Sequence, residues 1–289
     1  MKTAEIRTGK GRRILLARYG DPEGLPVAYC HGTPSSRLEA QIADAAARKL
    51  GIHLFAPDRP GYGGSDPLPP VDVASWNDDL ARTADHLGID RFHLIGVSGG
   101  GPYALGAAAR LGERIRGLAL VCPLGPIQNP ALRRPMSPAA RLAFFLAERA
   151  PWALPIFFGP LTAAVLRRFP RLTFALLESQ LPESDRRTLA DRRIRACFET
   201  SIREGLRQGG DGARRDFRHY VRPWGFDLTA VSQKVTLWHG EADRVVPIVQ
   251  SRHLARALPR CECRFLAHEG HYSLPCRQVE SILYQLVIG

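Results

Sequence analysis

The sequence predicts an α/β fold with a doubly wound, mostly parallel sheet, on three observations. Short apolar runs such as Phe92–Val97 and Val235–Trp238 alternate with helical periodicity through most of the chain. These runs are continuously apolar rather than apolar at every second position, as strands covered on both faces must be. Three strand ends carry residues able to do chemistry, and in open α/β sheets the loops gather at the carboxyl edge.

In order, Arg13–Arg18 and Val27–Cys30 read as strands. Ser35 or Ser36 caps a helix with Leu38, Ile42, Ala45 and Ala46 on its apolar face, running to Leu50 with Gly51 as the stop. Strand Ile52–Ala56 leads into the loop PDRPGYGGSDPLPP. Ser75 is expected to cap a helix with Trp76, Leu80, Thr83 and Leu87 on one face and Asp78 at its third position. Strand Phe92–Val97 runs almost directly into helix Pro102–Leu111, which Gly112 ends, and Leu118–Cys122 is the next strand.

From Gly125 to about Trp224 the alternation stops, and helical patterns dense in Leu, Phe and Arg follow with Pro punctuation. An insertion that long reads as a cap, so 1–124 and 225–289 are expected to form the core and 125–224 a helical cap. Strand Val235–Trp238, helix Pro247–Leu258, strand Glu262–Leu266 and a helix ending near Val287 complete the chain.

At 289 residues the chain buries roughly three quarters of its unfolded surface, enough for a core without staples. With 45% apolar and 24% charged residues it is neither collagen-like, coiled-coil nor disordered. Six cysteines in so long a chain do not form a disulfide framework. The polar, basic start MKTAEIRTGKGRR lacks the apolar core of a secretory signal, so a cytoplasmic location is expected. The most apolar window, Leu142–Leu166, contains Glu148, Arg149 and three prolines, which argues against a membrane span.

The net charge is +12, and Lys2, Lys10, Lys49 and Lys234 are the only lysines, so arginine supplies nearly all the positive charge. Such a balance raises nucleic-acid binding, but the arginines are scattered and no aromatic-plus-basic signature accompanies them. The basic stretches Asp185–Arg195 and Arg203–Arg222 read as solvated helix faces of the cap. Phe144, Phe145, Trp152, Phe157 and Phe158 suit the interior of the cap or an apolar channel. Cys261, Cys263, His268, His271 and Cys276 cluster in sequence, but C-x-C lacks zinc-ligand spacing and no H-E-x-x-H occurs, so no metal is expected. Homo-oligomerisation stays open.

Gly96-Val97-Ser98-Gly99-Gly100 fits G-x-S-x-G where a strand meets a helix. A serine hydroxyl becomes a useful nucleophile when a sharp turn presents it to a base, and small neighbours let backbone segments approach. Asp243 follows strand Val235–Trp238 in HGEADRVVP, and His271 follows the last strand in AHEGHYS. In that order Ser98, Asp243 and His271 can serve as nucleophile, orienting carboxylate and base. Glu241 and His268 compete for the latter roles; Asp243 is preferred over Glu241, and His271 over His268 because Gly270 frees the backbone before it. His239 is expected to pack beneath the site. Cys30-His31-Gly32-Thr33-Pro34 ends another strand, and the N–H of Thr33 with that of Gly99 would form an oxyanion hole.

HGTP, DRPGYGGSD, GVSGGGPYAL, WHGEADRVVP and HEGHYSL, in this order, resemble the α/β-hydrolase fold superfamily from about residue 10 onward, apart from the insertion. The resemblance implies an eight-stranded sheet, a helical cap after the sixth strand, no cofactor, and a structural, pocket-lining role for DRPGYGGSD. Gly99 departs from the many relatives with a larger residue there, which bears on substrate shape. The expected function is a serine hydrolase cleaving an ester or related acyl bond of a small, largely apolar molecule. C–C bond hydrolase, thioesterase, lactonase, perhydrolase and non-catalytic receptor are the alternatives on the same fold.

Overall fold

In the computed structural model, which describes residues 2–8, 11–68, 73–169 and 178–289, one eight-stranded sheet runs in the order β1-β2-β4-β3-β5-β6-β7-β8. Its strands are β1 (Lys2–Arg7), β2 (Arg13–Gly20), β3 (Leu25–Cys30), β4 (Ile52–Pro57), β5 (Phe92–Val97), β6 (Ile115–Val121), β7 (Val235–Gly240) and β8 (Cys261–Leu266). β1 pairs antiparallel with β2, and β2 with β4; the remaining neighbours are parallel. The fold class is therefore the one the sequence implied.

Strand β1 was not expected. KTAEIR buries only Ile6, because an edge strand presents little of itself to the core and its sequence carries almost no apolar pattern. The central strands are covered on both faces. On β6, Leu118 and Leu120 join a cluster containing Trp76, Leu80 and Leu105, while Ala119 and Val121 join a second with Ala40, Leu283 and Leu286.

The helix expected after Ser36 is two segments, a 3₁₀ turn Arg37–Ala43 and helix α1 (Asp44–Lys49). Ser36 caps the turn by accepting from the Leu38 N–H. Buried Arg37 pairs with Asp58 at 2.7 Å and buried Glu39 accepts from the Gly32 N–H, so tertiary anchors rather than helix propensity set the winding. Helix α2 (Asn77–His86) follows a 3₁₀ turn Val73–Trp76; Ser75 thus lies inside that turn, Trp76 is the cap, and Asp78 falls one position earlier than expected. Helix α3 (Gly100–Leu111) starts two residues before Pro102. Strand β6 begins at Ile115, and Cys122 has already left it in a left-handed conformation. Pro69 and Pro70 of the long loop lie outside the described residues.

Between β6 and β7 come α4 (Pro130–Arg133), α5 (Pro138–Arg149), α6 (Pro155–Phe158), α7 (Pro160–Arg168), α8 (Glu183–Leu189), α9 (Arg192–Gly205) and α10 (Asp211–Tyr220); residues 170–177 of this insertion lie outside the described residues. Phe144 of α5 stacks on Phe217 of α10 at 4.5 Å, and Phe158 reaches the same ring at 4.6 Å, whereas Phe145 and Trp152 are exposed. Leu181, Leu189 and Phe198 form a smaller cluster that also packs on Tyr272. Ser201 of α9 bonds Ser35 and Ser36, anchoring the insertion beside the end of β3. Helices α11 (Ile248–Ala257), α12 (Ser273–Arg277) and α13 (Val279–Ile288) follow β7 and β8. Among the described residues no helix is long and apolar enough to cross a membrane.

Candidate active site

Parallel register sets the site. Cys30 at the end of β3 lies beside Gly96 of β5, and Gly240 of β7 beside Leu266 of β8, so four loops leave the sheet at one edge. The turn after β5 carries Ser98 at φ +51°, a left-handed conformation costing an L-residue roughly 1–2 kcal/mol. Its backbone is held on both sides: the Ser98 N–H donates to Val121 O at 2.9 Å, and its carbonyl accepts from the Gly101 and Leu124 N–H groups at 3.0 Å. The surroundings therefore over-determine a strained turn that lifts the hydroxyl out of the sheet.

The structure brings Ser98, His271 and Asp243 together. Ser98 Oγ lies 3.0 Å from His271 Nε2, and His271 Nδ1 lies 2.7 Å from Asp243 Oδ2. Asp243 Oδ1 accepts from the Val245 and Val246 N–H groups at 2.8 and 2.9 Å. A carboxylate held in this way accepts a hydrogen bond from the Nδ1–H, which fixes the tautomer and leaves the Nε2 lone pair facing the serine. Ser98 is half-buried while His271 and Asp243 are buried. Glu241 is instead exposed and paired with Arg252, and His268 is exposed. His239 is buried, donates from Nε2 to Val246 O at 2.9 Å, and accepts at Nδ1 from Ser251.

Burial pulls the His271 imidazolium down, but Asp243, Asp185 and Glu39 outweigh it, and His271 titrates above the ordinary histidine range. Burial likewise works against the Asp243 carboxylate, yet its contacts with His271, His239 and the Val246 N–H hold it below the usual value.

Thr33 and Gly99 face each other beside the serine. A Cβ on Gly99 would stand 2.5 Å from Thr33 Oγ1, and one on Gly32 would stand 3.5 Å from Ser98 Cβ. Neither the Thr33 nor the Gly99 N–H has a backbone or side-chain acceptor among the described residues, whereas the Gly32 N–H is taken by Glu39. Two donors are thus free next to the hydroxyl.

A buried polar assembly underlies that loop, and the sequence did not disclose it. Asp216 of α10 accepts from Arg59 Nη2 at 2.6 Å, Thr33 Oγ1 at 2.5 Å, Tyr62 Oη at 2.7 Å and Tyr103 Oη at 2.6 Å. Tyr220, one turn on, donates to Gly99 O at 2.7 Å. Burial disfavours both charges, but the pair prevails: Asp216 is held below its usual range and Arg59 above. The DRPGYGGSD loop after β4 supplies Arg59 and Tyr62, and the only available signal was the arginine in that loop, whose partner lies 157 positions away.

Cys122, His239 and Asp243 have donor atoms within 4.8 Å of one another. Each is committed: His239 has both ring nitrogens bonded, Asp243 holds His271, and burial keeps the Cys122 thiol protonated. The cysteines of the sequence cluster go separate ways, Cys261 and Cys263 against the main core and Cys276 against the Leu189–Phe198 cluster.

A serine on a strained strand-to-helix turn thus meets a histidine and an aspartate from later strand ends, hydrogen-bonded in series at one edge of the sheet. The family model of the alpha/beta hydrolase fold matches residues 26–275, and the chain belongs to that family. It is 26% identical over 277 residues to the 2-hydroxymuconate semialdehyde hydrolase of Pseudomonas putida, covering 91% of this chain and 88% of that protein. Among solved structures, a thermophilic esterase from Thermogutta terrifontis superposes with a TM-score of 0.70 at 22% identity, over 99% of this chain and 98% of the other. Est816, described as an N-acyl homoserine lactone degrading enzyme, superposes with a TM-score of 0.67 at 18% identity, over 98% and 100%.

Proposed function

We propose that the chain is a serine hydrolase that cleaves an ester or related acyl bond of a small, largely apolar molecule. The observation that carries the reading is the unbroken series from Ser98 Oγ through His271 to Asp243, at 3.0 and 2.7 Å, with two free N–H groups alongside. His271 Nε2 takes the Ser98 proton as Oγ attacks the carbonyl, and Asp243 stabilises the imidazolium. The Thr33 and Gly99 N–H groups receive the developing oxyanion. His271 then protonates the leaving alcohol, and water, deprotonated by the same imidazole, hydrolyses the acyl-enzyme. No cofactor enters this scheme.

Residues 125–224 act in this reading as a cap over a core of 1–124 and 225–289. Arg59 is committed to Asp216 and to the carbonyls of His31 and Gly32, so the strongest positive charge beside the oxyanion loop is not offered to substrate, which favours an uncharged ester. Six unpaired cysteines suit a reducing compartment such as the cytoplasm.

Stoichiometric labelling of the purified chain by a fluorophosphonate, abolished in Ser98→Ala with the melting temperature retained, is the expected result. Full turnover by Ser98→Ala would overturn the assignment. The similarity to the Pseudomonas putida semialdehyde hydrolase over most of both chains supports a second reading, hydrolysis of a C–C bond on the same three residues. p-Nitrophenyl esters of graded chain length set against a vinylogous diketone separate the two: the ester reading expects the esters to be turned over faster.

A further inference from the structure

The loop that carries His271 is held from outside the core. Asp185, in the first turn of α8, accepts from the His271 N–H through Oδ2 at 3.0 Å. Its Oδ1 accepts from the Tyr272 N–H at 3.0 Å and the Ser273 N–H at 2.8 Å. These are the opening N–H groups of α12, whose cap residue Tyr272 supplies no side-chain acceptor of its own. A carboxylate borrowed from the insertion does that work.

Asp185 is fully buried, so its charge must be compensated where it stands. Among the described residues no lysine or arginine pairs with it: Arg186 donates to Leu181 O, and Arg187 pairs with Glu183 at the surface. Burial and the neighbouring Asp243 carboxylate push the Asp185 pKa above the usual carboxylate range, against three backbone N–H groups and the nearby imidazole that favour its charge. The sequence around the site is fitted to this contact. A Cβ on Gly270 would lie 2.4 Å from Asp185 Oδ1, and the Gly270 N–H donates to Ser273 Oγ at 2.8 Å. Gly270 is not in a left-handed conformation, so its glycine is required for room and not, as expected from sequence, for backbone freedom.

We propose that Asp185 is a positioning residue: from the insertion it fixes the backbone of His271, and its charge supports the imidazolium formed when Ser98 reacts. The inference rests on the reading of Ser98 and His271 as nucleophile and base. It makes the seating of α8 on the core a condition for an aligned base, so that a shift of this helix would misalign His271.

The test is the rate of Ser98 labelling by a fluorophosphonate as a function of pH, on the full chain and on Asp185→Ala and Asp185→Asn. Asp243, Asp185 and Glu39 are the acidic groups facing His271, and His239 is the other titratable neighbour; only one of them changes. Asp185→Ala should label between about 10- and 100-fold more slowly at the plateau, the loss expected from a small misplacement of a reacting group. Added formate, which refills the vacated carboxylate position, should restore much of that rate. Both variants should move the acid limb to lower pH, because a negative charge that favours the protonated imidazole is gone. A contribution to folding alone would move neither the limb nor the formate response.

Should Asp185→Ala not fold, Asp185→Asn decides, since its carbonyl keeps two of the acceptor bonds. Folded variants that label at the wild-type rate with an unmoved acid limb overturn the proposal alone. A wild-type chain that does not label overturns it together with the reading of Ser98.

Discussion

Gly99 shows how one missing side chain can couple two parts of the molecule. A Cβ there would meet Thr33 Oγ1 and Tyr220 Oη, each at 2.5 Å. The space that a larger residue after Ser98 would fill is thus taken by a tyrosine hydroxyl from the insertion. Gly99→Ala must displace Thr33, Tyr220 or both. We expect an overpacking cost of about 1–3 kcal/mol in urea unfolding. If the Thr33 and Gly99 N–H groups are the oxyanion donors, kcat on an ester should also fall by roughly 100-fold or more. An unchanged kcat would show that this pair does not receive the oxyanion.

His271 gives a second expectation. Its imidazole must be neutral to accept the Ser98 proton, and its pKa is raised, so kcat/KM should rise with pH through a midpoint above the ordinary histidine value. The stability contribution has the opposite sign. A group whose folded pKa is raised stabilises the fold fully below its unfolded value, and this contribution is lost as pH climbs through the folded one. A pH–rate profile with its acid limb at or below about 6.5, the unperturbed value, would contradict the arrangement of carboxylates around the ring.

The elements differ in how openly their sequences announce them. Strand β5 and the turn into α3 were legible because Ser98, its flanking glycines and the apolar strand are contiguous, so the signal is local. Strand β1 was not, because an edge strand paired on one side needs little apolar patterning. The split before α1 and the displaced cap of α2 had the same cause, buried groups such as Arg37, Glu39 and Asn77 whose partners lie in other elements. Asp185 was read as the start of a solvated basic stretch, yet it is buried against residues 86 to 88 positions away.

The loop after β4 and helix α10 form one unit through Arg59 and Asp216. Arg59→Met leaves the Asp216 carboxylate buried with only hydroxyl donors, and breaking a buried pair in this way costs about 3–5 kcal/mol. Chemical denaturation would measure it, and a loss under about 1 kcal/mol would mean that the hydroxyls of Thr33, Tyr62 and Tyr103 suffice. Replacing both partners by apolar residues of similar size should be far milder than replacing one.

Across the whole molecule, the places of every strand but β1 along the chain, and the polar residues at three strand ends, were written in short contiguous segments. Backbone propensity and solvent exclusion act on neighbours in the chain, and that is the information a single sequence carries openly. Which side chains the helical insertion sends to the core depended on long-range packing. Tyr220 beside Gly99, Asp216 beneath Thr33 and Asp185 behind His271 each join residues more than 80 positions apart. Buried charges and hydroxyls are stable only where partners converge in three dimensions, so their value could not be read from their own surroundings in the sequence.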